Sequence, residues 1–355
     1  MRGNIMNLLS FSVVFLVPAS VVLGYLMGGG YTFLTLLFVF GVVPVLDIII
    51  GQDTRNPDAD EEKRLEVDVR YRYLTWLCAP FQVIIVFWGA WVVSRGMLSP
   101  LEMIGFTLSM GISSGVMGIN VAHELAHRVN GRLEPALSRV MLWTVFYIHW
   151  GLEHVVGHHR GVATPEDPAT ARMGESFYRF LPRTIFGAFN NAWEFEAARA
   201  RKQGHAVWSL HNRMAVALAA YIVLLLLVAL VFGPLALVYF IFQAITAFTL
   251  LEAVNYIEHY GLLRDRRPDG SYAPVAPVHS WNSSNWLTNR FLFNLQRHSD
   301  HHYRPGRRYQ VLRHHDESPQ LPTGYAGMIL VALAPPLWRK MIDPKVMGLR
   351  SRHLD

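Results

Sequence analysis

The chain has 355 residues, of which 52% are hydrophobic and only 16% charged, with a mean hydropathy of +0.23; that is too apolar for one or two ordinary soluble domains and describes a membrane protein. A single cysteine, Cys78, excludes a disulfide scaffold, a cysteine-based zinc finger and any built-in four-thiolate iron centre. The net charge of +6 and pI near 9.5 would suit nucleic acid, but Lys and Arg crowded on one set of loops of a membrane protein give the same totals, and no nucleic-acid partner is expected.

Crossing a bilayer takes about 20 residues of helix. The 44 uncharged residues between Arg2 and Asp47, interrupted by Gly28-Gly29-Gly30, predict two spans over about 7–27 and 31–50. The N-terminal run has neither a basic cluster nor a small-residue cleavage site, so it reads as the first span and not as a removed signal. Tyr73–Ser94 predicts the third span, and the run Met103–Ala122, drawn back to the Ser99-Pro100 cap, predicts the fourth over 100–122, with its helix continuing past His123. The 38 uncharged residues from Met214 to Leu251 would measure roughly 57 Å as helix, too long for one span. Gly233-Pro234 divides them into 214–232 and 234–256. A last apolar stretch, Tyr325–Trp338, has only 14 residues with Pro335-Pro336 inside it, which places it in the interface or against the protein.

Of the 32 Lys and Arg residues, all but Arg95 fall in the termini, residues 51–72 and the two long connections, so those segments are expected on the cytoplasmic side. No internal repeat or low-complexity tract is present. The expected fold is an all-α membrane protein, a single integral-membrane domain of six transmembrane helices with a cytoplasmic histidine-rich cap, 123–213 and 257–355, holding a dimetal site.

Nine of the 16 histidines fall in four groups at or beyond the expected cytoplasmic span ends: His123 and His127; His154, His158 and His159; His259; His298, His301 and His302. Spacings of three and four residues put helical side chains on one face, as in His123/His127, His154/His158 and His298/His301/His302. Neutral imidazole is the commonest protein metal ligand, and nine are too many for one ion and fit two. Lone histidines such as His205, His211 and His353 read as ordinary amphipathic side chains. His123-Glu124-Leu125-Ala126-His127 also matches the H-E-x-x-H pattern of a zinc protease. Such a site needs one further ligand and leaves the remaining histidines unexplained.

Four carboxylates adjoin the ligands: Glu124, Glu153, Glu258 and Asp300. Adjacent helical residues point about 100° apart, so each is expected to accept the free ring N–H of another ligand and not to bind its neighbour's ion. Asp47 and Glu252, near the membrane boundary, are expected to face the bundle or to act at the site, with snorkelling at the lipid edge the competing reading.

The segments Asn120–Arg128 (NVAHELAHR), Glu153–Pro168 (EHVVGHHRGVATPEDP), Asn255–Leu262 (NYIEHYGL) and Leu295–His302 (LQRHSDHH), in that order, resemble the membrane alkane 1-monooxygenases, a branch of the histidine-rich di-iron membrane hydroxylases and desaturases. The resemblance runs from about Pro44 to Pro344 and includes Trp281-Asn282-Ser283 and Leu321–Tyr325; NYIEHYG separates this branch from the desaturases. Val155-Val156 and Gly161 depart from residues that are often polar there.

The resemblance implies two non-haem irons held by the nine histidines, with no other protein group acting in catalysis. It also implies O₂, and electrons from a rubredoxin reduced by an NAD(P)H-dependent reductase. The expected reaction is terminal hydroxylation of medium- to long-chain n-alkanes to primary alcohols in a bacterial inner membrane. A fatty acyl desaturase or hydroxylase, or an aryl-methyl monooxygenase, is the alternative within the superfamily. A zinc protease or a non-enzymatic metal-binding membrane protein is the alternative outside it. An alkane has no polar handle, so a narrow channel must present its end to the metal; Val39, Gly41 and Val42 on the second span are expected to line it. The cationic stretch Arg304, Arg307, Arg308 and Arg313 is expected to receive an acidic electron donor, the alternative being that these arginines pair with lipid headgroups or with Asp316 and Glu317.

Overall fold

The computed structural model describes residues 7–351, so His353 lies outside the described residues. All regular structure among them is helical, with three isolated bridges and no strand. Six helices are long and apolar enough to cross a membrane: α1 (Asn7–Met27), α2 (Gly29–Ile50), α4 (Val69–Ser94), α5 (Pro100–Ala126), α9 (Arg213–Phe232) and α10 (Pro234–His259). Between and after them lie α3 (Ala59–Val67), α6 (Leu133–Trp143), α7 (148–161), α8 (Phe177–Lys202), α11 (Trp286–Phe291), α12 (His298–Tyr303), α13 (Tyr325–Ala332) and α14 (Pro335–Ser351). The expected six spans are therefore present. α5 continues past His123 to Ala126 as expected, whereas two helices run further than the uncharged runs suggested: α4 begins at Val69 and α10 ends on His259.

The starts and stops have local causes. Ser99 caps α5 in a reciprocal capping box with Glu102, with Pro100 at its first position. Asn212 caps α9 through the backbone N–H groups of Met214 and Ala215, and Gly233, at φ 85°, ends α9 where a side chain would be strained.

The chain divides into two compact units. The first comprises the described residues up to Val39 together with Val69–Val155 and Ala188–Leu250. Its helices approach closely at small residues, as membrane helices do: a methyl group on Gly89 would sit 2.0 Å from the Tyr239 hydroxyl, and one on Gly111 would sit 2.7 Å from the Gln243 carbonyl oxygen. The polar side chains inside are tied to one another. Gln82 donates to Thr144 at 3.2 Å, Gln243 to the Thr144 carbonyl at 2.9 Å, and Ser114 to Gln243 Oε1 at 3.0 Å.

The second unit comprises Phe40–Asp68, Val156–Gly187 and Leu251 onward. Its core gathers Tyr256, Tyr260, Trp281, Tyr325, Met328 and Trp338. Tyr325–Trp338 thus packs against protein, the second of its two expected placements. Asp47 is buried here: the Thr288 backbone N–H donates to its Oδ1 at 3.0 Å and the Thr288 hydroxyl donates to Oδ2. Glu252 is also buried, accepting from Thr184 at 2.9 Å and Asn255 at 3.0 Å. Both carboxylates face protein rather than lipid.

Candidate metal centre

α10 delivers His259 at its C-terminus, α7 delivers His158, and the single short turn α12 delivers His298 and His302 four residues apart on one face. All four are buried, and their donor nitrogens lie within 4.8 Å of one another. Nε2 of His298 is 3.1 Å from that of His259 and 2.9 Å from that of His302, which is 3.3 Å from Nε2 of His158. These four nitrogens cannot all satisfy one another, since Nε2 of His298 and of His302 each face two others while a neutral ring nitrogen offers one hydrogen or one lone pair. A metal at about 2.05 Å from each of four tetrahedral nitrogens would space them about 3.3 Å apart, so the arrangement fits an ion. Burial among its fellow imidazoles holds His302 well below the usual histidine range, hence in the neutral form that ligates.

Of the other five candidates, two belong to the second unit and three to the first. In the second unit, His159 and His301 face each other with Nε2 atoms 3.1 Å apart. In the first unit, His123, His127 and His154 cluster with ring centroids 4.6 to 5.1 Å apart, and Nε2 of His154 is 3.1 Å from that of His127. Trp150 stacks on His154 at 4.4 Å and stands 5.7 Å from His123. One-face spacing held for His123/His127 and for His298/His302. His154 and His158, at the ends of a π-helical stretch, nonetheless serve different groups, and His301 turns to His159.

The carboxylates divide by partner. Glu258 Oε1 stands 3.1 Å from His298 Nδ1, the ring of a different ligand from its chain neighbour. Glu153 is buried and accepts from Asn191 at 3.4 Å. Glu124 pairs with Arg128 at 2.5 Å, and the buried Asp300 accepts from Arg307 at 2.8 Å, from His315 Nε2 at 2.8 Å and from the Arg313 backbone N–H at 3.0 Å. The residue the sequence reading missed is Asp167: its Oδ2 is 2.9 Å from His158 Nδ1, both fully buried. It lies in the quoted run Glu153–Pro168, in a Pro-flanked turn nine residues past His158, too far for helical spacing to single it out.

Of the expected channel residues, Val39 is buried, whereas Gly41 and Val42 are exposed. Of the cationic stretch, Arg307 is held by Asp300 and Glu62 and Arg313 by Glu62, Arg308 is partly buried, and Arg304 remains exposed. These carboxylates are not the Asp316 and Glu317 that chain proximity suggested.

His149, five residues before His154, is buried between the rings of Tyr147 and Phe189, with no hydrogen-bond partner for either nitrogen within the protein. Burial pushes it down to about 4. An unfolded histidine takes its proton near pH 6.5, so the folded state loses stability as pH falls from about 6.5 to about 4, by up to about 3 kcal/mol. In thermal melts of the detergent-solubilised, metal-free protein, His149→Phe is expected to flatten that acid slope while leaving the midpoint at pH 7.5 unchanged or raised. An unaltered slope would show that the ring does not hold back its proton.

The sequence matches the fatty acid desaturase family over residues 98–332. It is 45% identical over 318 residues to alkane 1-monooxygenase 2 of Pseudomonas aeruginosa, covering 89% of this chain and 84% of that one. It is 42% identical over 340 residues to the alkane 1-monooxygenase of Acinetobacter baylyi, covering 93% and 83%, and 42% identical over 315 residues to that of Pseudomonas putida, covering 89% and 78%. With six membrane-crossing helices and clustered buried histidines behind that similarity, the chain is a multi-pass membrane monooxygenase that belongs to the fatty acid desaturase family and, within it, to the alkane 1-monooxygenases.

Proposed function

We propose that this enzyme hydroxylates the terminal methyl of medium- to long-chain n-alkanes, using O₂ and two electrons from a rubredoxin, itself reduced by an NAD(P)H-dependent reductase, in a bacterial inner membrane with the histidines on the cytoplasmic side. The observation that carries the reading is the set of four converging, buried imidazole nitrogens in a chain whose relatives are named for this chemistry. The nine histidines would hold two irons, the four-histidine group of the second unit taking one. When bound, the irons supply the oxidation: O₂ and two electrons, with two protons, insert one oxygen into the C–H bond and release the other as water. The protein's share is to fix the ligands, exclude water and bring the chain end-on, since a hydrocarbon offers shape alone for recognition. Asp167 supports this by fixing the ring of His158, and Glu258 stands beside the ring of His298.

The test is turnover of the purified, iron-loaded protein with rubredoxin and reductase against alkanes of graded length. The expected product is the primary alcohol alone, with two irons per chain. Full iron loading without a terminal alcohol would overturn the reading, and one zinc per chain would favour a protease.

Two expectations follow for the alkane and the donor. Val39 would line the substrate channel, and Val39→Trp would then shorten the longest alkane accepted by several carbons. An unchanged chain-length profile at normal iron content removes α2 from the channel. Arg304, as the exposed member of its cationic stretch, would steer an acidic donor. Arg304→Glu is expected to slow rubredoxin-supported turnover severalfold at low salt and to weaken its salt dependence, with iron content unchanged. A retained rate and salt slope would put docking elsewhere.

A further inference from the structure

Asn120 lies in α5 one turn before His123 and two before His127, and therefore on their face of the helix. That face meets Trp150 and His154, the former 5.7 Å and the latter 4.6 Å from the His123 ring, whereas the Ser138 hydroxyl takes up the Ala122 carbonyl. Asn120 is 7% exposed, its chain neighbours Met117, Ile119, Val121 and Ala122 are buried, and neither its Oδ1 nor its Nδ2 has a hydrogen-bond partner within the protein. The six residues just before it, Ser114–Ile119, are π-helical, a distortion that recurs at functional sites.

A buried carboxamide with nothing to bind is costly, and an n-alkane cannot relieve that cost. A primary alcohol can: its hydroxyl has one hydrogen to give and lone pairs to receive one, which matches Oδ1 and Nδ2. We propose that Asn120 binds the hydroxyl of the newly formed alcohol beside the histidine group of the first unit. The inference rests on the terminal hydroxylation reading. The hydroxyl is borne by the terminal carbon, the atom that must reach the metal, and Asn120 sits one helical turn, about 4.5 Å along the axis, from a ligand. A side chain there prefers product over substrate. It therefore sets how long the alcohol stays, and with that the chance of a second oxidation.

The test measures binding of labelled 1-dodecanol and dodecane to the protein in nanodiscs, with protein-free nanodiscs of the same lipid correcting for partition into the bilayer. The wild type is expected to bind the alcohol about tenfold more tightly than the alkane, within reach of one well-placed hydrogen-bonding group. Asn120→Leu should abolish that preference while dodecane binds as well as before or better, and Asn120→Ala, which cannot clash, should show the same loss. If either variant folds, holds its metal and keeps the wild-type ratio, the amide is satisfied by a bound water and the proposal is overturned, while terminal hydroxylation stands. If the wild type binds neither ligand, terminal hydroxylation and the proposal fail together.

Discussion

His158→Ala and His301→Ala are each expected to lower bound iron by at least half and to reduce turnover by more than about 100-fold, the upper end of what losing a mere supporting partner of a ligand costs. His158 belongs to the four-nitrogen group and faces His302 at 3.3 Å, and His301 faces His159 at 3.1 Å, so the pair samples two different sets of rings. His205→Ala is the control. His205 stacks on His211 with centroids 3.5 Å apart, in the connection between α8 and α9, and its loss should change neither iron nor rate. Full iron in both ligand variants would remove the nine-histidine assignment. Because a ligating imidazole must be free of its second proton, the wild type should also release metal as pH falls below the histidine range. Because burial holds His302 well below the histidine range, the release is expected well below pH 6.5, and an iron content that falls at no pH at which the protein stays folded would count against histidine ligation.

The membrane helices were legible because their signal is covalent and local. A bilayer tolerates few charges, so uncharged runs bounded by Asp47, Arg95, Arg213 and Gly233-Pro234 mark the spans to within a few residues, and only the polar ends of α4 and α10, which carry arginines or a histidine inside the helix, escaped. The histidines were legible for the same reason: His298 and His302 must share a face whatever surrounds them. What the sequence hid is what depends on chain segments meeting from afar. The spacing of His154 and His158 says they share a face but not that their rings serve different groups, which depends on the helices that meet them. Glu62, far away in the chain, takes up Arg307 and Arg313, which reading along the sequence left to lipid or to nearby Asp316 and Glu317. Asn120 was legible as a motif residue, but not as an amide without a partner, since that fact exists only once the chain is folded around it.

Asp167 brings both lessons to one testable residue. A neutral His158 carries a single N–H; if that hydrogen is on Nδ1 and points to Asp167 Oδ2 at 2.9 Å, then Nε2 is left as the lone-pair donor on the side of His302. The carboxylate is itself fixed by donors on each oxygen, the Ala169 backbone N–H on Oδ1 at 3.1 Å and the Thr170 hydroxyl on Oδ2 at 2.6 Å. Every neighbour therefore gives a hydrogen, and a carboxamide has no oxygen to spare for one of them. Asp167→Asn would turn an NH₂ group either on the Ala169 amide or on His158 Nδ1. In the second case the ring must carry its hydrogen on Nε2, where it blocks the metal. Asp167→Asn is accordingly expected to weaken metal binding by about 10- to 100-fold, at least as much as Asp167→Ala, which merely leaves the ring unguided. Chelator competition read as iron per chain decides it, with thermal melts of the metal-free proteins separating loss of metal from loss of fold. Wild-type affinity in both variants would mean that His158 holds its tautomer without the carboxylate, and an alanine worse than the asparagine would mean that packing, not hydrogen polarity, is what Asp167 supplies.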